Sequence, residues 1–263
     1  MKIILVDSHI LMFKAIYASL EHKEVSVTWQ YLNMLISNLR RLFLTKEDIV
    51  IIAVDSSLGS WRREIDSEYK ANRKEQRELV VEIDWDYMFE KFNSFLKLLN
   101  KATPFHIISI PKLEADDIIA YSPNYFKDNE IIIVSSDTDF EMLTSYSNVK
   151  IFSPISKNFK EVKNPYQILN NKIAQEKTDN LLSPILSEQD YEKRKKIVDL
   201  IHLPEEVKKK VEVAFSELNI KDYNINLIPF FSLRKRFEEI YTNPIEIKEK
   251  KKRKRKLKQA TLI

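Results

Sequence analysis

The chain of 263 residues contains one glycine, Gly59, where an ordinary usage of ~7% would supply about 18. A P-loop needs two glycines around its phosphate cradle, and a dinucleotide-binding turn needs three at fixed spacing. Neither can be built here, so any phosphate chemistry must use side chains and metal ions. Cysteine is absent, which removes disulfides, thiolate nucleophiles and thiolate metal sites. The four histidines, His9, His22, His106 and His202, show no HxxxH or HxxH spacing. Hard oxygen ligands are the metal chemistry that remains. No apolar run reaches the ~18 residues of a membrane span, and MKIILVDSHI has no signal-peptide pattern. The expectation is a soluble intracellular protein of the cytoplasm that does not associate with membranes.

What is present fits a folded domain. Hydrophobic residues make up 44% and aromatics 11% of the chain, enough to build a core and to exclude global disorder. The net charge of +4 is unevenly spread. Residues 248–258 carry nine basic side chains and one acid, a local +8, so the remainder carries −4. The body is mildly acidic and the tail strongly basic.

The apolar runs alternate with helical patterns. Residues 2–6, 49–54, 105–110 and 130–135 read as strands, with 149–152 as a fifth. Helices are expected over 8–20 and 28–44, the second spaced by Leu32, Leu35, Leu39 and Phe43. Continuous apolar strands separated by helices predict an α/β fold with a mostly parallel central sheet covered on both faces. After about residue 165 the strand pattern gives way to helices. Three segments follow: an α/β core over 1–164, a helical domain over 165–245 and a basic tail over 246–263. Within the first, residues 60–81 interleave arginine and lysine with Trp61 and Tyr69.

The acids fall at the strand ends. Asp7, Asp55, Asp137 and Asp139 each follow an apolar run, and Glu114, Asp116 and Asp117 open the helix after the third strand. In an open parallel sheet these ends share one edge, where ligands bind. Any one of these residues alone reads equally well as a helix cap. Four strands ending alike is harder to attribute to capping. Clustered carboxylates repel one another unless cations neutralise them, and two divalent ions ~3.5–4 Å apart clamp a phosphodiester for in-line attack. Magnesium suits such a set. A haloacid-dehalogenase-type phosphatase would need Asp-x-Asp after the first strand, where this chain has Asp7-Ser8-His9. A phospho-receiver domain would not need the acids at 114–117 and 137–139.

The motifs ILVDSH, IIAVDSS, SWRREIDSEYKANR, LEADDIIA and VSSDTDF, in this order, resemble those of the structure-specific 5′ nucleases, a family of flap endonucleases and 5′–3′ exonucleases that includes phage ribonucleases H. The resemblance covers roughly residues 1–240. It implies a PIN/5′-nuclease-like sheet, a basic helical arch at 60–81 and a smaller C-terminal helical domain. It implies metal ligation by Asp7, Asp55, Glu114, Asp116, Asp117, Asp137 and Asp139, completed by Asp179 and by Glu176, which stands where the family usually has aspartate. Two Mg²⁺ ions are expected, with Mn²⁺ able to substitute. Lys70 is expected to reach the scissile phosphate, and Arg62 and Arg73 to bind substrate near its 5′ end. Trp61 and Trp85 are expected to pack. The glycine-rich hairpins with which the family grips duplex cannot form around one glycine. Lys193, Arg194, Lys195 and Lys196, or Lys208, Lys209 and Lys210, are the replacements on offer.

The expected activity is removal of 5′ nucleotides and flaps from RNA–DNA and DNA duplexes during replication, by a monomer. Partners beyond nucleic acid are a single-strand-binding protein and a sliding clamp. The clamp would dock on the last five residues, Gln259 to Ile263 (QATLI), which resemble the start of a clamp-binding motif. The alternative is a noncatalytic junction-binding or clamp-recruiting protein on the same fold. A metal-dependent ribonuclease of the toxin type would share the acidic rim but not the basic insertion.

Overall fold

The computed structural model describes residues 1–21, 24–73, 79–80, 83–174, 185, 187–219 and 221–241. Five parallel strands form one sheet in the order β3-β2-β1-β4-β5. They are β1 (Lys2–Asp7), β2 (Ile49–Ala53), β3 (His106–Ile108), β4 (Glu130–Val134) and β5 (Val149–Phe152). β1 pairs with β2 through Ile4↔Val50 and with β4 through Ile4↔Ile132, so its backbone is bonded on both sides.

Alternation along each strand divides the core. Ile4, Val6, Val50, Ile52, Ile132 and Val134 face one side. Ile3, Leu5, Ile51, Ala53, Ile131 and Ile133 face the other. Burying each isoleucine or valine contributes about 1.5–3 kcal/mol, so both faces need cover. On the first side lie α1 (Ser8–Glu21), α2 (Val27–Leu39) and α4 (Trp85–Ala102). α2 starts at Ser26, whose hydroxyl accepts from the Trp29 amide, and α4 starts at Asp84, whose carboxylate accepts from the Tyr87 amide. α2 stops at Leu39, short of the expected residue 44. Phe43 adopts a left-handed φ of 53°, and Leu42 and Leu44 reach the core from a turn. Helical spacing of apolar residues therefore outlasts the helix itself.

On the second side lie α5 (Ala115–Tyr125), the 3₁₀ helix Asp139–Ser145 and α8 (Glu205–Ser216). α8 packs Val207, Val211 and Phe215 into this core. α9 (Phe231–Phe237) and the following turn bring Leu233, Phe237 and Ile240 to the first core. α8 and α9 thus complete the two cores of the sheet. A small third cluster joins Tyr69 to Ile173 of α6 (Pro165–Ala174) and to Ile197 and Val198 of α7 (Glu188–Val198).

Of the expected arch, the described residues hold the short helix α3 (Arg62–Ile65), turns over 67–71, helical backbone at Asn72 and Arg73, and residues 79–80. Gly59 precedes it with φ 82°, and a Cβ added there would meet nothing within 4 Å. The requirement for glycine is therefore one of backbone conformation. Among the described residues no helix is long and apolar enough to cross a membrane.

Candidate functional site

The strand order reverses between β1 and β4, which opens a crevice at the carboxyl ends of the strands. β1 ends in Asp7, Asp55 follows β2, and Asp137 follows β4. Glu114, Asp116 and Asp117 arrive at the N-terminus of α5, where the helix dipole favours negative charge.

These groups are tied together by short bonds. The Ser135 hydroxyl donates to Asp7 Oδ2 at 3.0 Å and accepts from the Asp137 amide at 3.0 Å. Asp137 Oδ1 accepts from the Asp139 amide at 2.9 Å. Asp55 Oδ1 accepts from the Ala115 amide at 2.8 Å, which fastens the end of β2 to the start of α5. His9 Nδ1 lies 3.5 Å from Asp55 Oδ2. Asp139 is ion-paired with Lys172 of α6.

Asp7 is buried, and its carboxyl is pushed up to about 7. Burial is the main cause. Asp55 and Asp137 add repulsion, against the hydrogen bond from Ser135. Asp116 is partly exposed but closely hemmed in, and loss of hydration holds it well above the carboxylate range. Lys70 opposes that shift, while Glu114, Asp7 and Asp55 reinforce it.

Beneath this rim lies a layer of opposite character. Arg62 is 1% exposed. Its Nε donates to the Ile197 carbonyl at 2.8 Å, its Nη1 to Glu114 Oε2 at 3.1 Å, and its Nη2 pairs with Asp117 Oδ1 at 2.8 Å. The guanidinium also lies 4.7 Å from the centre of the Trp61 ring. Burial favours its neutral form, but Asp117, Tyr69 and Glu114 outweigh burial and hold it charged. Tyr69 donates to Glu114 Oε2 at 2.8 Å, and Lys70 Nζ donates to Glu114 Oε1 at 2.6 Å. Burial opposes ionisation of Glu114, yet Lys70 and Arg62 keep it below the usual range. Asp117 Oδ2 accepts from the Glu114 amide at 2.9 Å and from the Trp61 ring nitrogen at 3.1 Å.

The structure therefore separates the expected acids. Asp7, Asp55, Asp116 and Asp137 gather at the rim. Glu114 and Asp117 are committed to the layer below, and Asp139 to Lys172. Arg62 does not occupy the substrate-facing position expected of it, because its donors are spent inside the protein. Lys70 stands at the rim with a left-handed backbone φ of 56°, an uncommon state for a side chain of its size. Arg73 is exposed beside the crevice. Glu176, Asp179 and residues 242–263, including Gln259 to Ile263, lie outside the described residues. Arg194 is buried and donates to the Ile173 carbonyl, whereas Lys193 pairs with Asp66, Lys208 with Glu205 and Lys210 with Glu206.

The sequence reading missed three contributors. Ser135 and Tyr69 stand inside motifs already noted, VSSDTDF and YKANR. Lys172 carried no signal, since its partner is 33 positions away.

Among the described residues no three acidic or histidine side chains converge closely enough to form a finished cage for a metal ion. The donor chemistry nevertheless fits a hard divalent cation. Asp7 and Asp116 are carboxylates whose ionisation is opposed by hydration loss and by their neighbours, and a cation beside them reverses both effects.

Comparison with known proteins bears on this arrangement. Residues 2–178 match the family model described as 5′-3′ exonuclease, N-terminal resolvase-like domain. The chain belongs to the 5′–3′ exonuclease family. It is 36% identical over 117 residues to the ribonuclease H of Enterobacteria phage T4, a match covering 43% of this chain and 38% of that protein. It is 27% identical over 169 residues to a 5′-3′ exonuclease of Mycoplasmopsis pulmonis, covering 63% of this chain and 53% of that one. The matches thus span between about two fifths and about half of these relatives. Among solved structures, the phage T5 D15 protein co-crystallised with metal ions superposes with a TM-score of 0.54 at 18% identity, over 91% of this chain and 98% of that chain. The T5 D15 flap endonuclease in a pseudo-enzyme-product complex with DNA and metal ions gives 0.55 at 19% identity, over 91% and 98%. At that identity the likeness establishes the fold.

Proposed function

We propose that the protein is a divalent-metal-dependent 5′–3′ nuclease. It hydrolyses phosphodiesters near the 5′ ends of RNA–DNA and DNA duplexes, trimming ends and flaps in primer removal during replication. The observation that carries this reading is the rim itself. Three strand ends and one helix start deliver Asp7, Asp55, Asp137 and Asp116 to one crevice of a chain in the 5′–3′ exonuclease family.

In this reading Asp7, Asp55, Asp116 and Asp137 hold two Mg²⁺ ions, or Mn²⁺ in their place, with Glu176 and Asp179 as further ligands. The bound ions supply Lewis acidity that polarises the phosphoryl group. Ser135 orients Asp7 and the loop carrying Asp137 through one hydroxyl. Asp55 holds β2 against α5 so that the acids of both keep a fixed spacing. Lys70 exchanges Glu114 for the scissile phosphate and faces the negative charge that develops there. Arg73, at the edge of the crevice, binds the strand near its 5′ end. The basic tail adds nonspecific attraction to nucleic acid, and Gln259 to Ile263 offer a clamp-docking segment that a pull-down with the tail peptide tests.

The test uses 5′-labelled flap, nicked duplex and RNA–DNA hybrid, each with Mg²⁺ and with EDTA. The expected outcome is Mg²⁺-dependent release of short 5′ products. Absence of cleavage on all three would overturn the proposal and favour the noncatalytic junction-binding alternative.

A further inference from the structure

The loop after β4 brings Asp137 to the rim, and a lysine outside the motifs named above holds that loop from a second side. Residues 153–158 form a tight turn. The Lys157 amide donates to the Ser153 carbonyl at 2.9 Å, the Ser153 amide donates to the Asn158 carbonyl at 3.0 Å, and Lys157 takes a left-handed φ of 59°. The turn folds the chain back along the edge of the sheet. Phe159 bridges to Phe152 in the antiparallel sense, with their rings 5.5 Å apart edge to face, and the Lys160 amide donates to the Ile151 carbonyl at 2.8 Å. β5 in turn pairs with the end of β4 through Val134↔Phe152. Backbone bonding thus delivers Lys160 beside the loop that leaves β4.

The Lys160 side chain is partly buried. Its Nζ donates to Glu141 Oε1 at 2.7 Å, and to the carbonyls of Ser136 and Asp137 at 3.4 and 3.5 Å. An ammonium has three N–H donors and no acceptor, so these three oxygens match its capacity. The bond to the Glu141 carboxylate is charge-assisted and therefore the strong one, and it fixes where the ammonium stands. The two carbonyls belong to the peptide planes on either side of the Asp137 Cα. Each plane moves as a unit. Lys160 restrains both planes, and Ser135 Oγ holds the Asp137 amide at 3.0 Å. The two backbone dihedrals that aim the Asp137 side chain therefore have little freedom. Without such restraints a loop is the most mobile place to carry a ligand.

We propose that Lys160 is a positioning residue of the cation site, holding the Asp137 carboxylate in ligand geometry through the carbonyls of Ser136 and Asp137. The inference rests on the nuclease reading for what Asp137 holds. It goes beyond that reading in giving the precision of the rim to a lysine that acts through the main chain and not on the carboxylate. Replacing Lys160 by methionine keeps a long side chain, but it leaves both carbonyls without this donor and Glu141 without its cation.

The test is Mn²⁺ titration followed by electron paramagnetic resonance in the absence of substrate, on wild type, Lys160→Met and Lys160→Arg, with thermal unfolding in EDTA measured alongside. Partners that orient a metal ligand are worth about 10–100-fold in affinity, and Lys160→Met is expected to bind Mn²⁺ more weakly by that factor. On a 5′-flap substrate it is expected to lose kcat by a similar factor with KM within about two-fold, the pattern of an interaction that counts in the transition state. Lys160→Arg restores charge and donors and is expected to recover most of both. A residue that served the fold alone would lower the melting temperature and leave Mn²⁺ affinity as in wild type, and that result in Lys160→Met would overturn the proposal. So would equal weakening of Mn²⁺ binding in the Met and Arg variants. If Lys160→Met does not fold, Lys160→Gln, which keeps a donor without the charge, is read in the same way. The two readings fail separately. A wild type that cleaves with Mg²⁺ while the neutral variant keeps full Mn²⁺ affinity refutes the positioning role alone. A wild type that binds Mn²⁺, more weakly in the neutral variant, and never cleaves refutes the nuclease reading alone.

Discussion

Two layers of acid lie within a few residues of one another, and they differ in what neutralises them. In the lower layer Glu114 and Asp117 surround the buried guanidinium of Arg62, with Tyr69 and Lys70 completing the bonds to Glu114. In the upper layer Asp7 and Asp116 face mainly other acids; Ser135 and the Ile10 backbone bond Asp7, and Lys70 opposes the shift of Asp116. Glu114 is held below the usual carboxylate range, and Asp7 and Asp116 are pushed above it. The same residue types at the same sheet edge thus serve two ends. One layer is finished by the protein and fixes the position of α3 against α5 and α7. The other is left short of positive charge, which the divalent cations of the proposed function would supply.

Removing the internal cation breaks the lower layer. Arg62→Met leaves Glu114 and Asp117 buried beside no guanidinium, and losing one partner of a buried pair costs about 3–5 kcal/mol. Thermal or urea unfolding is expected to show that loss. Wild-type stability in this variant would mean that the layer is not held by charge.

The upper layer responds in the opposite sense. Asp116→Asn and Asp137→Asn are expected to lower cleavage of a 5′-flap substrate by about 10²–10³-fold, the scale of losing one preorganised electrostatic contact. Asp116→Asn should at the same time leave metal-free stability unchanged or raise it, because it removes repulsion. Full cleavage by either variant would remove these residues from the site.

The layers also separate by pH in metal-free protein. Asp7 ionises near 7 in the fold and near 3.8 when unfolded. Between those values the unfolded chain releases a proton that the folded chain keeps, so this group lowers stability as pH rises from about 4 to about 7, after which its effect is constant. Glu114 is shifted downward. Its contribution is complete above its unfolded value and is lost on acidification through the folded one. Denaturation midpoints measured from pH 3 to 9 in EDTA should show the decline towards pH 7, and Mg²⁺ should flatten it. A profile that rises across that interval in EDTA would contradict the assignment to Asp7.

The smallest expected change is Tyr69→Phe, which removes one hydrogen bond to Glu114. A bond to a charged group is worth about 1.5–3 kcal/mol, and Lys70 and Arg62 remain to offset the loss. A fall of about 1 kcal/mol in unfolding free energy is expected, smaller than for Arg62→Met.

Much of the sheet was legible in the sequence because a parallel strand buried on both faces is a continuous apolar run. The expected strand over 149–152 coincides with β5. The edge strand β3 is shorter than its run over 105–110, since pairing with β2 ends at Ala53↔Ile108. The positions of Asp7, Asp55 and Asp137 followed from strand ends alone. The burial of Arg62 did not. Within a run of arginine, lysine and glutamate it carries no mark of an interior residue, and the partners that draw it inside are 52 and 55 positions away. The same limit applies to α8 and α9. Their apolar stripes are visible in sequence, but nothing local says that one closes the second face of the sheet and the other the first.

The central distinction between the layers is tested most directly by counting bound Mn²⁺ with electron paramagnetic resonance in wild type, Asp116→Asn and Tyr69→Phe. Two ions per wild-type chain are expected, with at least one lost in Asp116→Asn and both kept in Tyr69→Phe. Equal Mn²⁺ binding by wild type and Asp116→Asn, or no binding by wild type, would contradict the reading of the upper layer as a cation site.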